Sequence, residues 1–245
     1  MKEKECSNVT VQLTPGAVYK VSELKIPGLD NILFTSTEAN ENNRPQLIVT
    51  NKISLASPIQ SLSFEFVCLN GNGEASYMTD WKNSSYAQSI SFTGCAIQNI
   101  KRTLVRISDG SGVFMTDITI DNCVISEVGT DGYGMINFGK NIDQLEKVSI
   151  TNSTLINIGD QLMDVKGGIG DVILENCTFY NSMDAKKELP KVFRFDNAAS
   201  TPPSPKSATM RNLIFSGPNK GKKMNRGNGA YDILNFSDNC YITSD

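Results

Sequence analysis

Apolar and polar residues alternate along much of the chain, in short segments that repeat. Alternation with a period of two predicts β-strands, and asparagine tolerates the left-handed backbone of a tight bend. The shared pattern is apolar-x-apolar-x-Asn-small-x-apolar, so each copy predicts a strand, an asparagine corner and a second strand. The clearest copies are at 89–99, 117–127, 147–157 and 171–181, and weaker ones are at 62–71 and 208–217.

A second recurrent segment lies between these copies and predicts a third strand in each repeat. Its copies are 104–109, 135–140, 162–167, 192–197 and 233–238. The spacing between repeats varies, which places the length differences in loops. Equivalent positions, 28, 28, 30, 24 and 36 residues apart, are Val67, Cys95, Cys123, Ser153, Cys177 and Leu213.

Three short strands in each repeat of this length predict an all-β fold, the right-handed parallel β-helix. Helical repeats would show a period of 3.6 residues, and leucine-rich repeats would show a recurring LxxLxL frame. The sequence shows neither. We therefore expect a single domain, in which residues 1–60 form the opening coils and residues 61–245 form the regular coils.

The repeat also predicts what its cysteines and asparagines do. Parallel side chains that point into a β-helix are poorly placed to bridge, so we expect buried free thiols, with disulfides or a redox role as the alternative. The corner asparagines are expected to stack as an amide ladder. The thiol column contains Cys95, Cys123 and Cys177 with Ser153, and the corner column contains Asn122, Asn152, Asn176 and Asn212 with Gly94.

Composition narrows the chemistry that the chain can perform. The 245 residues include no histidine, which excludes Ser-His-Asp, Cys-His and His-zinc sites. The six cysteines have no CxxC spacing, so a zinc knuckle is not expected. No apolar run approaches the roughly 18 residues of a membrane span. The sequence pI of about 5.2 argues against a nucleic-acid partner.

The asparagine-corner repeat resembles the pectate-lyase-like β-helix superfamily, and five stretches of the chain look like secreted β-helix domains of unknown function from Bacteroidetes. The resemblance covers nearly the whole chain. It implies a β-helix, a secreted, periplasmic or cell-surface location and a polysaccharide partner, and it supplies no catalytic motif. We also expect the protein to be a monomer. The stretches are 11–28, 101–112, 132–139, 151–168 and 175–181.

In enzymes of that superfamily the substrate groove follows one strand stack, and the third segment of each repeat is the equivalent here. Alternation predicts two outward columns on this stack, in which Asp164 faces Arg194 and Lys166 faces Asp196 on consecutive coils. The first column is Arg106, Asn137, Asp164, Arg194 and Asn235, and the second is Ser108, Gly139, Lys166, Asp196 and Ser237.

Two interpretations of these charges remain open. One is a ladder of lateral ion pairs, each worth roughly 0–1 kcal/mol when exposed. The other is a lyase site for uronate polymers, which needs a base, a cation for the carboxylate and an acid for the leaving oxygen. In that site Lys166 is the candidate base, Arg106 and Arg194 bind the carboxylate, and Asp164 with Asp196 forms a Ca²⁺ pair.

Further residues are candidates for binding the polysaccharide. Residues 182–226 carry ten Lys or Arg against three Asp or Glu, although the whole chain has a net charge of −3. This basic block either attracts an anionic glycan or is a solvated loop. Trp81 either stacks on a sugar or fills a packing position. The candidate substrate-binding residues are Asn137, Asn235, Trp81, Lys222 and Lys223.

The sequence thus predicts a secreted or surface protein that interacts with acidic polysaccharide. One form of this prediction is a uronate lyase that uses Ca²⁺. The alternative is a surface protein without catalysis, which binds glycan or has a structural role.

Overall fold

The computed structural model describes residues 7–38, 40–182, 191–195, 205–216, 223–226, 234–236 and 241–242. Among them the only helix is a three-residue 3₁₀ helix, Glu41–Asn43, so none has the length and apolar character of a membrane span. All other regular structure is β. In chain order the strands are β1 (Asn8–Leu13), β2 (Val18–Ile26), β3 (Asn31–Ser36), β4 (Gln46–Leu55), β5 (Ile59–Glu65), β6 (Cys68–Asn70), β7 (Trp81–Lys82), β8 (Ala87–Thr93), β9 (Ala96–Ile100), β10 (Val105–Asp109), β11 (Phe114–Asp121), β12 (Val124–Val128), β13 (Gly134–Thr151), β14 (Thr154–Ile156), β15 (Gln161–Tyr180), β16 (Lys191–Phe195), β17 (Ser207–Ser216), β18 (Lys223–Arg226), β19 (Leu234–Phe236) and β20 (Tyr241–Ile242).

Strands of successive coils pair in parallel and form three stacks. Stack 1 contains β1, β3, β5, β8 and β11, then the later part of β13, the middle of β15, the first half of β17, and β19. Stack 2 contains the first halves of β2 and β4, then β6, β9, β12, β14, the ends of β15 and β17, and β20. Stack 3 contains the second halves of β2 and β4, then β7, β10, the first parts of β13 and β15, β16 and β18. The all-β parallel β-helix predicted from the repeat is confirmed.

One predicted strand lies in a different stack. The sequence predicts that segment 233–238 follows segment 192–197 in stack 3. In the structure Asn235 pairs with Thr209 in stack 1, and β18 takes the stack 3 position, where Arg226 lies beside Arg194. The prediction was wrong because alternation is the same in stack 1 and stack 3 strands, while segment 223–226 lacks alternating apolar residues.

Inward side chains of successive coils stack on each other and form the core. The rings of Phe34 and Phe64 are 5.2 Å apart, and those of Phe64 and Phe92 are 5.5 Å apart, with interplanar angles of 11° and 8°. These distances follow from the strand spacing of about 4.8 Å, which brings equivalent residues of neighbouring coils into contact. Identical side chains at one inward position therefore pack face to face.

The predicted thiol column is confirmed. Cys95, Cys123 and Cys177 are buried and unbridged, and each Sγ donates to a carbonyl of the preceding coil at 3.3–3.4 Å. Ser153 replaces the thiol in the intervening coil, and its Oγ accepts from the Cys123 N–H at 3.1 Å. Burial raises the pKa of the Cys177 thiol to about 11. These thiols are therefore structural.

The predicted corner column is confirmed as well. Its four asparagines have φ between 51° and 54°, and Gly94 has φ 59°. Asn176 Nδ2 donates to Asn152 Oδ1 at 3.0 Å, and Asn212 Nδ2 donates to Asn176 Oδ1 at 2.9 Å. Asn152 Nδ2 in turn donates to Asp121 Oδ1 at 2.8 Å. This first amide ladder lies between stack 1 and stack 2.

A second ladder, which the sequence analysis missed, lies between stack 2 and stack 3. Asn99, Glu127, Asn157 and Asn181 have φ between 45° and 58°. Asn181 Nδ2 donates to Asn157 Oδ1 at 2.7 Å, and Asn157 Nδ2 donates to the Glu127 carboxylate. The signal was present as the Asn or Glu that ends each eleven-residue copy of the repeat. Stack 2 is therefore bordered by polar corner residues on both sides.

Candidate functional site

Stack 3 brings most of the predicted outward column together. Parallel pairing sets Arg106 beside Asn137, Asn137 beside Asp164, and Asp164 beside Arg194. Asn137 and Asp164 are only 4% and 8% exposed, and Asn137 Nδ2 donates to Asp164 Oδ2 at 3.3 Å. The column thus runs through four coils as predicted, but its two central side chains are largely shielded from solvent.

Arg106, the first residue of this column, has a partner on the coil before it. Its Nη1 lies 2.8 Å from Asp80 Oδ1, and its guanidinium carbon lies 4.2 Å from the centre of the Tyr77 ring. Both side chains of the ion pair are partly buried, so the charges are screened less than an exposed pair. Much of the Arg106 charge is therefore already balanced within the protein.

Arg102 has a different environment, beside two tyrosine rings that pack edge to face with their centres 6.3 Å apart. Its guanidinium carbon lies 5.7 Å from the Tyr77 ring centre and 5.1 Å from the Tyr133 ring centre. Its Nη1 donates to the Tyr77 hydroxyl at 2.9 Å, which raises the pKa of Arg102 above its ordinary value. Within the described parts of the chain, Arg102 makes no ion pair. We call Tyr77, Arg102, Arg106 and Tyr133 the tyrosine–arginine cluster.

Tyr133 is presented by an unusual piece of backbone. Its φ is 77°, in the left-handed region that costs a non-glycine residue roughly 1–2 kcal/mol. It lies between Gly132, with φ 90°, and Gly134, the first residue of β13, and its side chain is 42% exposed. Strained backbone of this kind concentrates at binding and catalytic sites. The sequence analysis missed Arg102 and Tyr133, although a tyrosine between two glycines just before a strand was a usable signal.

Lys166, the predicted base, lies in β15 beside an irregularity of the neighbouring strand. Phe138 pairs with Val165 and Ile142 pairs with Gly167, so four steps along β13 match two steps along β15. Such bulges are common next to active sites, where they redirect side chains. Lys166 itself is partly exposed. The bulge makes this the least regular part of stack 3 between β10 and β15.

The remaining predicted residues are placed only in part. Arg194 in β16 lies beside Arg226 in β18, and Lys223 in β18 lies beside Lys191 in β16. Two basic residues therefore meet basic residues at directly opposite positions of stack 3. Asp196 and Lys222 lie outside the described residues.

Of the two carboxylates expected to bind Ca²⁺, the structure describes only Asp164. In the ranges that the structure covers, no group of three or more His, Cys, Asp or Glu side chains comes together. Because Asp196 lies outside those ranges, the described residues supply a single carboxylate of the expected pair. No step proposed below depends on a cation.

Trp81 does not face a groove. It is 1% exposed, pairs with Ile107 across β7 and β10, and donates from Nε1 to the Ile53 carbonyl at 3.3 Å. The packing interpretation of Trp81 is confirmed and the sugar-stacking interpretation was wrong, because the loop around it contributes a two-residue strand that turns the ring into the core. Asn235, in stack 1, is likewise not part of the stack 3 column.

The fold defines the class of this protein, a parallel β-solenoid. Residues 33–158, just over half of the chain, match the family described as Domain of unknown function (DUF4957). The chain belongs to this family. No curated protein and no solved structure matches it significantly. The family description carries no activity.

Proposed function

We propose that the protein binds an acidic polysaccharide along stack 3, with the tyrosine–arginine cluster as the centre of recognition. The observation that carries this proposal is Arg102, whose guanidinium lies beside two tyrosine rings and makes no ion pair among the described residues. A guanidinium matches the planar geometry of a carboxylate, and a tyrosine ring offers an apolar face with a polar tip. A uronate sugar presents both a carboxylate and apolar C–H groups.

The basic pairs farther along stack 3 support the same kind of ligand. Basic residues recur there at paired strand positions, Lys191 with Lys223 and Arg194 with Arg226, and local positive charge attracts an anionic ligand. Arg106 and Arg226 occupy positions four strand spacings apart, which is about 19 Å. Exposed charges act within about 8–10 Å at physiological salt. Since the two regions are farther apart than that, each attracts a different part of an extended polymer, and both are needed to hold it.

The net charge of −3 makes local charge decisive, because a uniformly charged surface would repel a polyuronate.

The proposed ligand also places the protein where polysaccharides occur: secreted, in the periplasm or on the cell surface. We propose that it acts there as a monomer.

A second candidate function is cleavage of the same polymer by β-elimination, and the bulge beside Lys166 favours it. In this reaction Lys166 removes the C5 proton of a uronate, and the electron pair forms a C4–C5 double bond. The C4–O bond breaks, and the leaving oxygen takes a proton from water. Arg194 holds the carboxylate in this scheme, and Arg106 contributes less because Asp80 already balances its charge.

The test measures binding of polygalacturonate, alginate and hyaluronate by calorimetry at low and high salt. Removing a charged hydrogen-bonding partner costs about 1.5–3 kcal/mol, so Arg102→Gln should weaken binding by about 10- to 100-fold. Lys101→Gln is the matched control, since it removes the same charge at the neighbouring residue and should change affinity less than about twofold. Equal losses from both variants, or no binding of any acidic polymer, would contradict the proposal.

The same samples separate binding from catalysis. A lyase produces unsaturated uronate, which absorbs in the ultraviolet, and Lys166→Ala should abolish that absorbance while binding persists. Binding without any rise in absorbance would leave the non-catalytic function.

A further inference from the structure

The outward face of stack 2 has a composition unlike the rest of the surface. Along seven paired strands, β4, β6, β9, β12, β14, β15 and β17, fourteen positions on this face carry no charged residue. Lys20 of β2 lies beside Ile48 at one end of them, and Asn70 is the one that is buried. At the 20% charged content of the whole chain, about three charges would be expected there. We call these positions the uncharged strip: Gln46, Ile48, Cys68, Asn70, Ala96, Gln98, Val124, Ser126, Thr154, Ile156, Thr178, Tyr180, Ile214 and Ser216.

The strip is regular and partly apolar. Its pairings continue from β4 to β17 without a register shift, in contrast to stack 3. Three large apolar side chains in it are well exposed: Val124 at 42%, Tyr180 at 55% and Ile214 at 44%. Hydroxyl and amide side chains alternate with them, so the strip offers both apolar contact and neutral hydrogen bonding.

The two ladders border this strip on either side. A primary amide has two N–H donors and two acceptor lone pairs. Within the ladders Asn152, Asn176 and Asn157 each donate one N–H and accept one bond, which leaves further valences for a ligand. Two carboxylates of these borders already accept from ladder amides, Asp121 from Asn152 and Glu127 from Asn157. The borders therefore suit hydroxyl groups better than charged groups.

The dimensions decide which kind of ligand fits. Six strand spacings of about 4.8 Å give a length of about 29 Å, and three residues along a strand give a width of about 10 Å. The resulting area, about 300 Å², is well below the roughly 800 Å² that each partner buries in a stable protein complex. A narrow, extended, hydroxyl-rich ligand matches this shape and this lack of charge.

We propose that the uncharged strip binds a single chain of a neutral polysaccharide. The apolar faces of the sugars pack on the exposed apolar side chains, and their hydroxyls bond to the bordering amides. This site is separate from the acidic-polysaccharide site on stack 3 and does not depend on it.

The test is co-sedimentation with insoluble neutral polymers, namely amorphous cellulose, xylan, mannan and β-1,3-glucan, at high salt. Val124→Arg places a long charged side chain near the centre of the strip and should reduce retention on the bound polymer at least about tenfold. Thr119→Arg is the matched control, because it adds the same charge at an outward position of the same coil in stack 1. Tyr180→Ala, which removes a half-exposed ring, should reduce retention without adding charge.

The outcomes distinguish this site from its alternatives. Retention that survives high salt and Arg102→Gln but is lost in Val124→Arg and Tyr180→Ala supports the proposal. It is overturned if the wild-type protein is retained on none of the four polymers, or if Thr119→Arg causes an equal loss. A concentration-dependent dimer in sedimentation velocity that Val124→Arg dissociates would instead show that a second copy of the chain covers the strip.

Discussion

Asn152 lies in the middle of the first amide ladder, where one substitution can separate two contributions to stability. Its side chain donates to Asp121 and accepts from Asn176, and its backbone has φ 51°. Asn152→Ala removes both hydrogen bonds and forces a residue with a Cβ into left-handed backbone. Asn152→Gly removes the same bonds but tolerates that backbone, as Gly94 does at the equivalent corner.

The size of each loss follows from these contacts. Two partly exposed hydrogen bonds contribute about 1–2 kcal/mol together. Left-handed backbone costs alanine about 1–2 kcal/mol, whereas glycine instead loses about 0.5–1 kcal/mol of chain entropy on folding. We therefore expect Asn152→Ala to lower the free energy of unfolding by about 3 kcal/mol and Asn152→Gly to lower it by about 2 kcal/mol.

Urea denaturation followed by far-ultraviolet circular dichroism measures both values, and the denaturant slope should not change between variants. If Asn152→Gly lowers the free energy of unfolding at least as much as Asn152→Ala, the left-handed backbone does not contribute as proposed. Losses below about 0.5 kcal/mol in both variants would show that the ladder contributes little in water.

Two further predictions concern the same coils. Gly94→Asn restores the asparagine of the repeat but should lower the free energy of unfolding by about 1–3 kcal/mol, because a Cβ there would lie 2.5 Å from the Phe66 ring. In thermal melts, the double variant Gly94→Asn with Phe66→Ala should recover most of that loss. The raised pKa of Cys177, about 11 against an ordinary value of 9.0, means that the folded state keeps its thiol proton to higher pH than the unfolded chain. The buried neutral thiol therefore adds to the free energy of unfolding in full below pH 9.0, and this stabilisation is lost as the pH rises through about 11. In Cys177→Ala, the free energy of unfolding should fall less over this pH range than in the wild-type protein. An equal fall in both proteins would contradict the assignment to burial.

The parts of the fold that the sequence predicts are those with strict physical requirements. A corner with positive φ accepts Asn or Gly far more readily than other residues, so Asn122 and Gly94 mark it directly. A crowded inward column needs small side chains, so Cys95 and Cys123 mark it too. The outward pairing of Arg106, Asn137 and Asp164 follows from alternation once the strands are aligned.

The parts that the alternation did not predict each have a separate physical reason. Arg102 and Tyr133 belong to turns that precede stack 3 strands, and no period relates residues of such turns to the column beside them. Trp81 was misplaced because β7 has only two residues, too few to show a pattern. Asn235 was misplaced because its segment alternates like a stack 3 strand while pairing in stack 1.

The continuous register of stack 2, set against the bulges of stack 3, has a consequence for where the length of this chain can be changed. The register shifts of stack 3 lie in β10 and β13. The stack 2 pairings from β4 to β17 contain no such shift, and a one-residue insertion in one of those strands would turn its outward side chains inward. Stack 3 is therefore the side on which residues can be added with less disturbance of the core.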